Sequence, residues 1–235
     1  STDPGYPCHE AFASVIGTLI ENVTLKISAE FQPEPSEFES KWSDCVKGIL
    51  LSSPANPTGV ITQESNLRQL KELVDSKGGF LIVDEIYQGI NLSNSIYESA
   101  LAVDEEIFIL NSFSKYYAMT GWRLGWVVVP QDTAEYFTRL AQNIFLAPNT
   151  ISQYAALEAF DDQCRAIHEN RVQIVKQRIG TLCEGLLELG FTIPVKPEGG
   201  FYIFVDISHT GFDSQDFCRK MLMEYGVAIT PAHDF

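Results

Sequence analysis

The sequence has few basic residues and no long hydrophobic run. Its 235 residues include 16 lysines and arginines against 31 aspartates and glutamates, which gives a net charge of −15. A surface this acidic repels DNA, RNA and anionic lipid. The apolar runs are short, as at residues 80–83 and 126–129, and none approaches the roughly 20 residues that span a bilayer. We therefore expect neither a nucleic-acid partner nor a membrane partner.

Paired cysteines and a secretion signal are also missing. The five cysteines are odd in number and form no C-x-x-C pair, so the sequence signals neither a metal site nor a disulfide framework. The first residues, S-T-D-P-G-Y-P, contain neither the charged nor the apolar region of a signal peptide. Reduced thiols and the absence of such a signal predict a cytoplasmic location.

Short apolar segments alternate with helical patterns through the first part of the chain. This alternation predicts an α/β fold with a mostly parallel central sheet and flanking helices. Its four buried strands are expected at residues 48–51, 80–83, 107–110 and 124–129. Thr62 is the expected N-cap of the helix between the first two strands.

The last part of the sequence has a different pattern. A long helix is predicted from residue 163 to residue 189, and further strands are predicted at residues 201–207 and 227–229 around a helix at residues 214–225. We interpret residues 1–165 as a large domain and residues 166–235 as a partial, smaller α+β C-terminal domain.

A polar cluster follows each of three predicted strands. The clusters are centred on Asn56, Asp84 and Lys115. Because ligands of parallel α/β sheets bind beyond the carboxyl ends of the strands, one site built from all three clusters is expected.

Lys115 lies between two hydroxyl residues, Ser112 and Ser114, and Arg123 follows within a Gly-Trp-Arg-Leu-Gly turn. Hydroxyls and a planar guanidinium are donors that suit a phosphate. An amine beside a phosphate site indicates a cofactor with both an aldehyde and a phosphate, namely pyridoxal 5′-phosphate (PLP).

The sequence also offers candidate residues for binding the remaining groups of such a cofactor. A carboxylate keeps the ring nitrogen protonated, since opposite charges about 4 Å apart attract by about 4 kcal/mol at an effective dielectric of 20. Asp84 is the candidate, and strand alternation directs its rival Glu85 to the other side. Tyr87 and Asn56 suit the ring's phenolic oxygen, and Tyr6 suits the ring face.

Three motifs in this order resemble a known family. N-P-T-G at 56–59, D-E-I-Y at 84–87 and S-F-S-K with G-W-R-L-G at 112–125 look like the class I and II PLP-dependent aminotransferases, the fold-type I group related to aspartate aminotransferase. The resemblance extends from D-P-G-Y-P near the start to P-E-G-G-F-Y-I-F-V-D in the tail.

The resemblance implies a role for each candidate. Lys115 would be the catalytic Schiff-base lysine, and Asp84 and Tyr87 would assist it at the ring nitrogen and the 3′-oxygen. Asn56 would bind the 3′-oxygen and the substrate carboxylate, and a cis peptide is expected at Asn56–Pro57. The residues implied in holding the phosphate and the ring face are Ser112, Ser114, Arg123 and Tyr6.

The implied activity is ping-pong transamination between an amino acid and a 2-oxo acid by a homodimer. The family normally has a segment before D-P-G-Y-P and a substrate-binding arginine beyond A-I-T-P-A-H-D-F, so we expect a chain truncated at both ends with little activity alone. A PLP-dependent C–S β-lyase and a non-catalytic effector domain of a transcription regulator are the alternatives.

The four histidines, among them His9, have no evident partner in the sequence.

Overall fold

Strands and helices alternate along the first part of the chain, and helices dominate the second. The structure is a computed structural model that describes residues 1–94 and 97–235. Its first elements are β1 (Thr2–Asp3), α1 (Cys8–Val15), β2 (Val23–Thr24), α2 (Pro35–Ser40), β3 (Gly48–Ser52), α3 (Glu64–Ser76), β4 (Phe80–Asp84), β5 (Phe108–Ser112) and β6 (Gly125–Val128). The helices α4 (Ala134–Phe145), α5 (Thr150–Glu158), α6 (Asp162–Glu188) and α7 (Ser214–Tyr225) follow.

The central sheet has the strand order β3-β4-β5-β6. The first three strands are parallel, and β6 is antiparallel to β5. In this register Ser52 pairs with Asp84, and Asp84 pairs with Leu110, so the carboxyl ends of three strands lie at one edge. The predicted α/β fold with a mostly parallel sheet is confirmed. A small parallel ladder of β1 and β2 lies apart from it.

A continuous apolar core holds helix α3 against this sheet. Burying each large aliphatic side chain stabilises the fold by roughly 1.5–3 kcal/mol, so this core fixes the strands that carry the site. The buried residues of α3 and the sheet that pack together are Leu67, Leu70, Val74, Ile49, Leu51, Leu81, Val83 and Ile109.

The predicted N-cap of α3 is wrong. The helix begins at Glu64, and Gln63 is its N-cap, without a side-chain capping bond. Thr62 is buried, and its backbone N–H donates to Ser53 Oγ at 3.0 Å. The Gln63 N–H donates instead to Gln32 Oε1 at 3.0 Å. Tertiary hydrogen bonds have therefore taken the place of a local cap.

The predicted strands at residues 201–207 and 227–229 are wrong as well. The first makes one isolated bridge, in which Asp206 N–H donates to Thr192 O at 2.8 Å. In the second, Val227 N–H donates to Met221 O at 3.1 Å, while Gly226 adopts a left-handed conformation. That pattern is a helix C-terminal cap. Val227, the first residue of the expected strand, therefore belongs to the end of α7.

Helix α6 has 27 residues, which is long enough in principle to cross a bilayer. Across residues 1–94 and 97–235, however, no helix joins such length to a sufficiently apolar composition.

The side chain of Glu85 faces the core, on the opposite side from Asp84, as strand alternation predicts. It is 1% exposed, and it accepts hydrogen bonds from Ser99 Oγ at 2.8 Å and from the Ala100 N–H at 2.6 Å. Burial raises the pKa of Glu85 above its ordinary value, although the bonds from Ala100 and Ser99 oppose this. Glu85 thus ties the turn at Ala100–Ala102 to the end of β4 and is unavailable to the site.

This burial predicts a pH dependence of stability. The folded state binds the Glu85 proton more tightly than the unfolded state, so Glu85 contributes most below its unfolded pKa of about 4.5, and the contribution falls as pH rises through the folded pKa. Relative to Glu85→Gln, the wild type should therefore gain free energy of unfolding as the pH falls from 7.5 to 4.5. Urea unfolding of both proteins across that range measures the difference, with exposed Glu72→Gln as the control for loss of one carboxylate. Parallel stability profiles for the wild type and Glu85→Gln would contradict this account.

Candidate active site

Three loops meet at the carboxyl edge of the sheet. One carries N-P-T-G after β3, the second begins at Asp84 after β4, and the third carries Lys115 after β5. The parallel register of these strands is what brings the three loops together.

Lys115 is half-buried between two aromatic rings. Its Nζ lies 5.5 Å from the ring centroid of Tyr87 and 5.5 Å from that of Phe201. Both distances are within the range of cation–π attraction. The lysine amine is therefore held over Tyr87, inside the loop cluster.

Asp84 is 9% exposed and lies at the wall of the same cluster. Its Oδ1 accepts a hydrogen bond from the Ile86 N–H at 3.0 Å, and its Oδ2 lies 3.7 Å from His9 Nε2. The structure thus places the lysine and the aspartate that the sequence analysis singled out after neighbouring parallel strands, at one edge of the sheet.

His9 is a site residue that the sequence analysis missed. It is 5% exposed, and neither ring nitrogen has a hydrogen-bond partner among the described residues. Its ring packs edge-on against Tyr6, with centroids 5.4 Å apart. No local signal links His9 to Asp84, because the two are far apart in sequence and meet only in the fold.

Tyr87 lies beside Lys115 and is 4% exposed. Its hydroxyl is 2.6 Å from the hydroxyl of Tyr202. Burial, followed by the hydrogen bond with Tyr202, raises the pKa of Tyr87 far above its ordinary value. The phenol consequently keeps its proton and can serve as a hydrogen-bond donor.

Asn56 is 6% exposed, and its Oδ1 has no hydrogen-bond partner among the residues that the structure describes. The Asn56–Pro57 peptide is cis, as the resemblance implied. A buried polar atom without a partner destabilises a fold by about 1–3 kcal/mol. Asn56 is thus the clearest position in this cluster for a polar ligand group.

The serines and the arginine lie at the start and the end of the segment that joins β5 to β6. Ser112 Oγ lies 2.9 Å from Ser114 Oγ and 3.1 Å from Leu124 O, and it accepts from the Ser114 N–H at 3.0 Å. Arg123 is exposed, has a left-handed backbone, and donates through Nη1 to Thr120 O at 2.9 Å. Hydroxyl and guanidinium donors therefore stand at the two ends of the lysine loop.

Tyr6 is half-buried beside His9. A hydrogen bond with the Cys8 thiol, together with burial, raises the pKa of Tyr6 to about 12. The Tyr6 ring packs edge-on against His9, whose Nε2 lies 3.7 Å from Asp84 Oδ2. Tyr6 therefore contributes an aromatic wall next to the carboxylate.

The tail of the chain also reaches the site, through residues 198–202. The Glu198 and Gly199 N–H groups donate to Gly59 O at 2.9 and 3.0 Å, and the Gly200 N–H donates to Ile90 O at 2.9 Å. Sequence reasoning missed Phe201 and Tyr202; the Gly-Gly pair before them was the available signal, since it permits a close backbone approach.

Comparisons with known proteins agree on one family. The family described as aminotransferase class I and II matches residues 1–235. The valine–pyruvate aminotransferase of Mycobacterium tuberculosis is 34% identical over 233 residues, which cover 99% of this chain and 60% of that protein. A (5-formylfuran-3-yl)methyl phosphate transaminase of Methanocaldococcus jannaschii is 33% identical over 236 residues, covering 99% and 59%.

A solved structure gives the same result. The crystal structure of an aminotransferase from Mycobacterium tuberculosis matches with a TM-score of 0.94 at 33% identity, covering 100% of this chain and 60% of that one. The chain therefore has the fold of these proteins and spans about 60% of their length.

Gly59 couples the N-P-T-G loop to the tail, and replacing it should separate the two. Its φ is +72°, and a Cβ there would lie 2.6 Å from Pro197 Cβ. Gly59→Ala should lower the free energy of unfolding by about 1–2 kcal/mol for the left-handed backbone and by a further 1–3 kcal/mol, roughly, for the clash.

Gly78→Ala is the matched control, since Gly78 has a φ of +66° and a Cβ added there would meet nothing within 4 Å. It should show only the backbone effect. Urea unfolding measures both variants, and equal losses would mean that the tail does not pack on Gly59.

Proposed function

The chain belongs to the class I and II aminotransferase family, and from that premise we propose that it binds PLP at Lys115 and supplies the reacting groups of a transaminase. The observation that carries the proposal is the approach of Lys115, on the loop after β5, to Tyr87, on the loop that begins at Asp84 after β4. A lysine amine, a carboxylate and a protonated phenol are the groups that hold the aldehyde, ring nitrogen and 3′-oxygen of this cofactor.

The other residues fit the same group. The buried Oδ1 of Asn56 lacks a polar partner, and rotation of its amide about χ2 presents either the oxygen or the NH₂. Ser112, Ser114 and Arg123 suit a phosphate, and the Tyr6 ring suits the ring face. Each of these assignments is a proposal that follows the family motif.

Within this site, the chain's own residues would handle the proton. When bound, the cofactor supplies an aldehyde that takes up the amino group and a protonated ring that withdraws electrons from the substrate Cα. Lys115 anchors the cofactor through its amine; after an amino acid displaces it, the free Nζ takes the proton from the substrate Cα.

Asp84 and Tyr87 would fix the electronic state of the ring. The Asp84 carboxylate, oriented by the Ile86 N–H and faced by His9, would keep the ring nitrogen protonated. Tyr87, which retains its proton, would donate to the 3′-oxygen.

The proposed substrates are an amino acid and a 2-oxo acid. Relatives at similar identity are named for valine with pyruvate and for a furan phosphate, so family membership alone does not select the amino acid. Both names are those of transaminases, which supports transamination over β-elimination.

We also propose that the protein acts as a homodimer, with residues 1–165 as the cofactor-binding domain and residues 166–235 as part of a smaller one. Large apolar side chains stand exposed on α4, which suits a surface covered by further protein. These side chains are Tyr136, Leu140, Ile144 and Phe145.

The decisive experiment loads the protein with PLP and then supplies amino acids without an acceptor. We expect a visible absorption band that borohydride fixes on Lys115, detected by mass spectrometry of the labelled peptide. Excess amino acid should then convert at most one equivalent of cofactor to pyridoxamine phosphate, because a transaminase needs a 2-oxo acid to continue.

Lys115→Ala should abolish both the band and the label, whereas exposed Lys77→Ala should retain them. Continuous release of pyruvate and ammonia from cystathionine would instead identify a β-lyase. Folded wild-type protein without a band would refute the cofactor assignment.

A second prediction concerns the phosphate. Arg123→Gln should weaken PLP binding roughly 10- to 100-fold, because a hydrogen bond to a charged group is worth about 1.5–3 kcal/mol. Binding of pyridoxal, which lacks the phosphate, should change little. Fluorescence titration with both compounds measures the contrast, with exposed Arg139→Gln as the control for net charge. Equal weakening of both ligands would show that Arg123 does not contact the phosphate.

A further inference from the structure

The hydroxyl of Tyr202 bonds to a proposed cofactor ligand, Tyr87, although the resemblance assigned Tyr202 no role. It lies 2.6 Å from the Tyr87 hydroxyl, and the two rings meet edge-on with centroids 5.5 Å apart. Phe201 packs against both rings, at 5.3 Å from Tyr87 and 4.9 Å from Tyr202. A hydroxyl pair at this distance is a full hydrogen bond.

The position of Tyr202 is fixed by the backbone rather than by its side chain alone. Gly200 has a φ of +73°, and this left-handed turn sets the direction in which Phe201 and Tyr202 leave the loop. The backbone bonds from this loop to Gly59 and Ile90 tie it to the N-P-T-G loop and to the loop of Tyr87. Tyr202 is therefore held by the same segments that carry Asn56 and Tyr87.

We propose that Tyr202 is a positioning residue that donates a hydrogen bond to the Tyr87 hydroxyl. Through this bond it changes the proton affinity of the nitrogen that joins Lys115 to PLP, an inference that rests on the proposed function. Each phenol has one proton. Either hydroxyl can donate in the bond between them, and the bond raises the pKa of Tyr87 when Tyr87 is the donor. Once Tyr87 donates its proton to the cofactor's 3′-oxygen instead, the bond between the two hydroxyls requires Tyr202 to be the donor.

Such a chain of two donors acts on the cofactor at a distance. A hydroxyl that accepts a hydrogen bond becomes a stronger donor, so Tyr202 strengthens the bond from Tyr87 to the 3′-oxygen. That bond draws negative charge away from the oxygen and weakens its attraction for a proton on the neighbouring nitrogen. Removing the Tyr202 hydroxyl should therefore raise the proton affinity of that nitrogen.

The test is a pH titration of the absorption band of the PLP-loaded protein. Tyr202→Phe should move the midpoint to higher pH, on the order of half a pH unit, and Tyr87→Phe should move it further in the same direction. The double variant should match Tyr87→Phe alone, because Tyr202 acts through Tyr87. Tyr97→Phe is the matched control: it removes a buried phenol that bonds to Ser53 O at 2.6 Å, and it should leave the midpoint unchanged.

A second measurement needs no cofactor. Urea unfolding of the wild type, the two single variants and the double variant forms a double-mutant cycle. A true hydroxyl pair should give a coupling of about fivefold in the unfolding equilibrium constant.

The outcomes separate this inference from the function on which it rests. An unchanged midpoint in Tyr202→Phe, additive shifts in the double variant, or a coupling near onefold would each overturn the role of Tyr202 while the cofactor assignment stands. Absence of the band in the folded wild-type protein would overturn both. A non-additive upward shift together with a measurable coupling would establish the role of Tyr202.

Discussion

The parallel register of β3, β4 and β5 is the constraint on which the site depends. It places the ends of three strands at one edge, so that the loops that follow them, which are far apart in sequence, lie side by side there. The apolar core beneath α3 fixes that register, because a slip by one residue would turn every buried side chain outward. Core packing and site geometry are therefore two consequences of the same strand pairing.

Strand alternation at the end of β4 gives two adjacent carboxylates different surroundings and different roles. Asp84 faces the loop cluster and His9, whereas Glu85 faces the core and binds Ser99 and Ala100. Two ionised carboxylates in one pocket would raise each other's pKa and compete for the same ligand group. The alternation thus leaves the site with one carboxylate and gives the other a structural role.

Sequence reasoning was most successful where local patterns and strand ends coincide. The positions of Lys115, Asp84 and Tyr87 follow from apolar segments and the residues after them. His9 and Tyr202 were missed because their contacts with Asp84 and Tyr87 connect distant segments and leave no local periodicity. The strand expected at residues 227–229 was wrong for a different reason. The backbone of Val227 caps α7, and an apolar run does not show which neighbouring element will form hydrogen bonds with its backbone.

The site also contains buried polar atoms that lack hydrogen-bond partners among the described residues. The buried Asn56 Oδ1 and both ring nitrogens of His9 lack hydrogen-bond partners among the described residues, and each such atom destabilises the folded chain by about 1–3 kcal/mol. The backbone nearby is nevertheless held in place, since Gly59 and Ile90 bind the tail loop. A ligand that forms hydrogen bonds with these unpaired polar groups removes their destabilising effect, and its binding is favoured for that reason. The free energy lost in keeping these polar groups unpaired would be recovered by a ligand that pairs with them, which is the physical basis of a preorganised site.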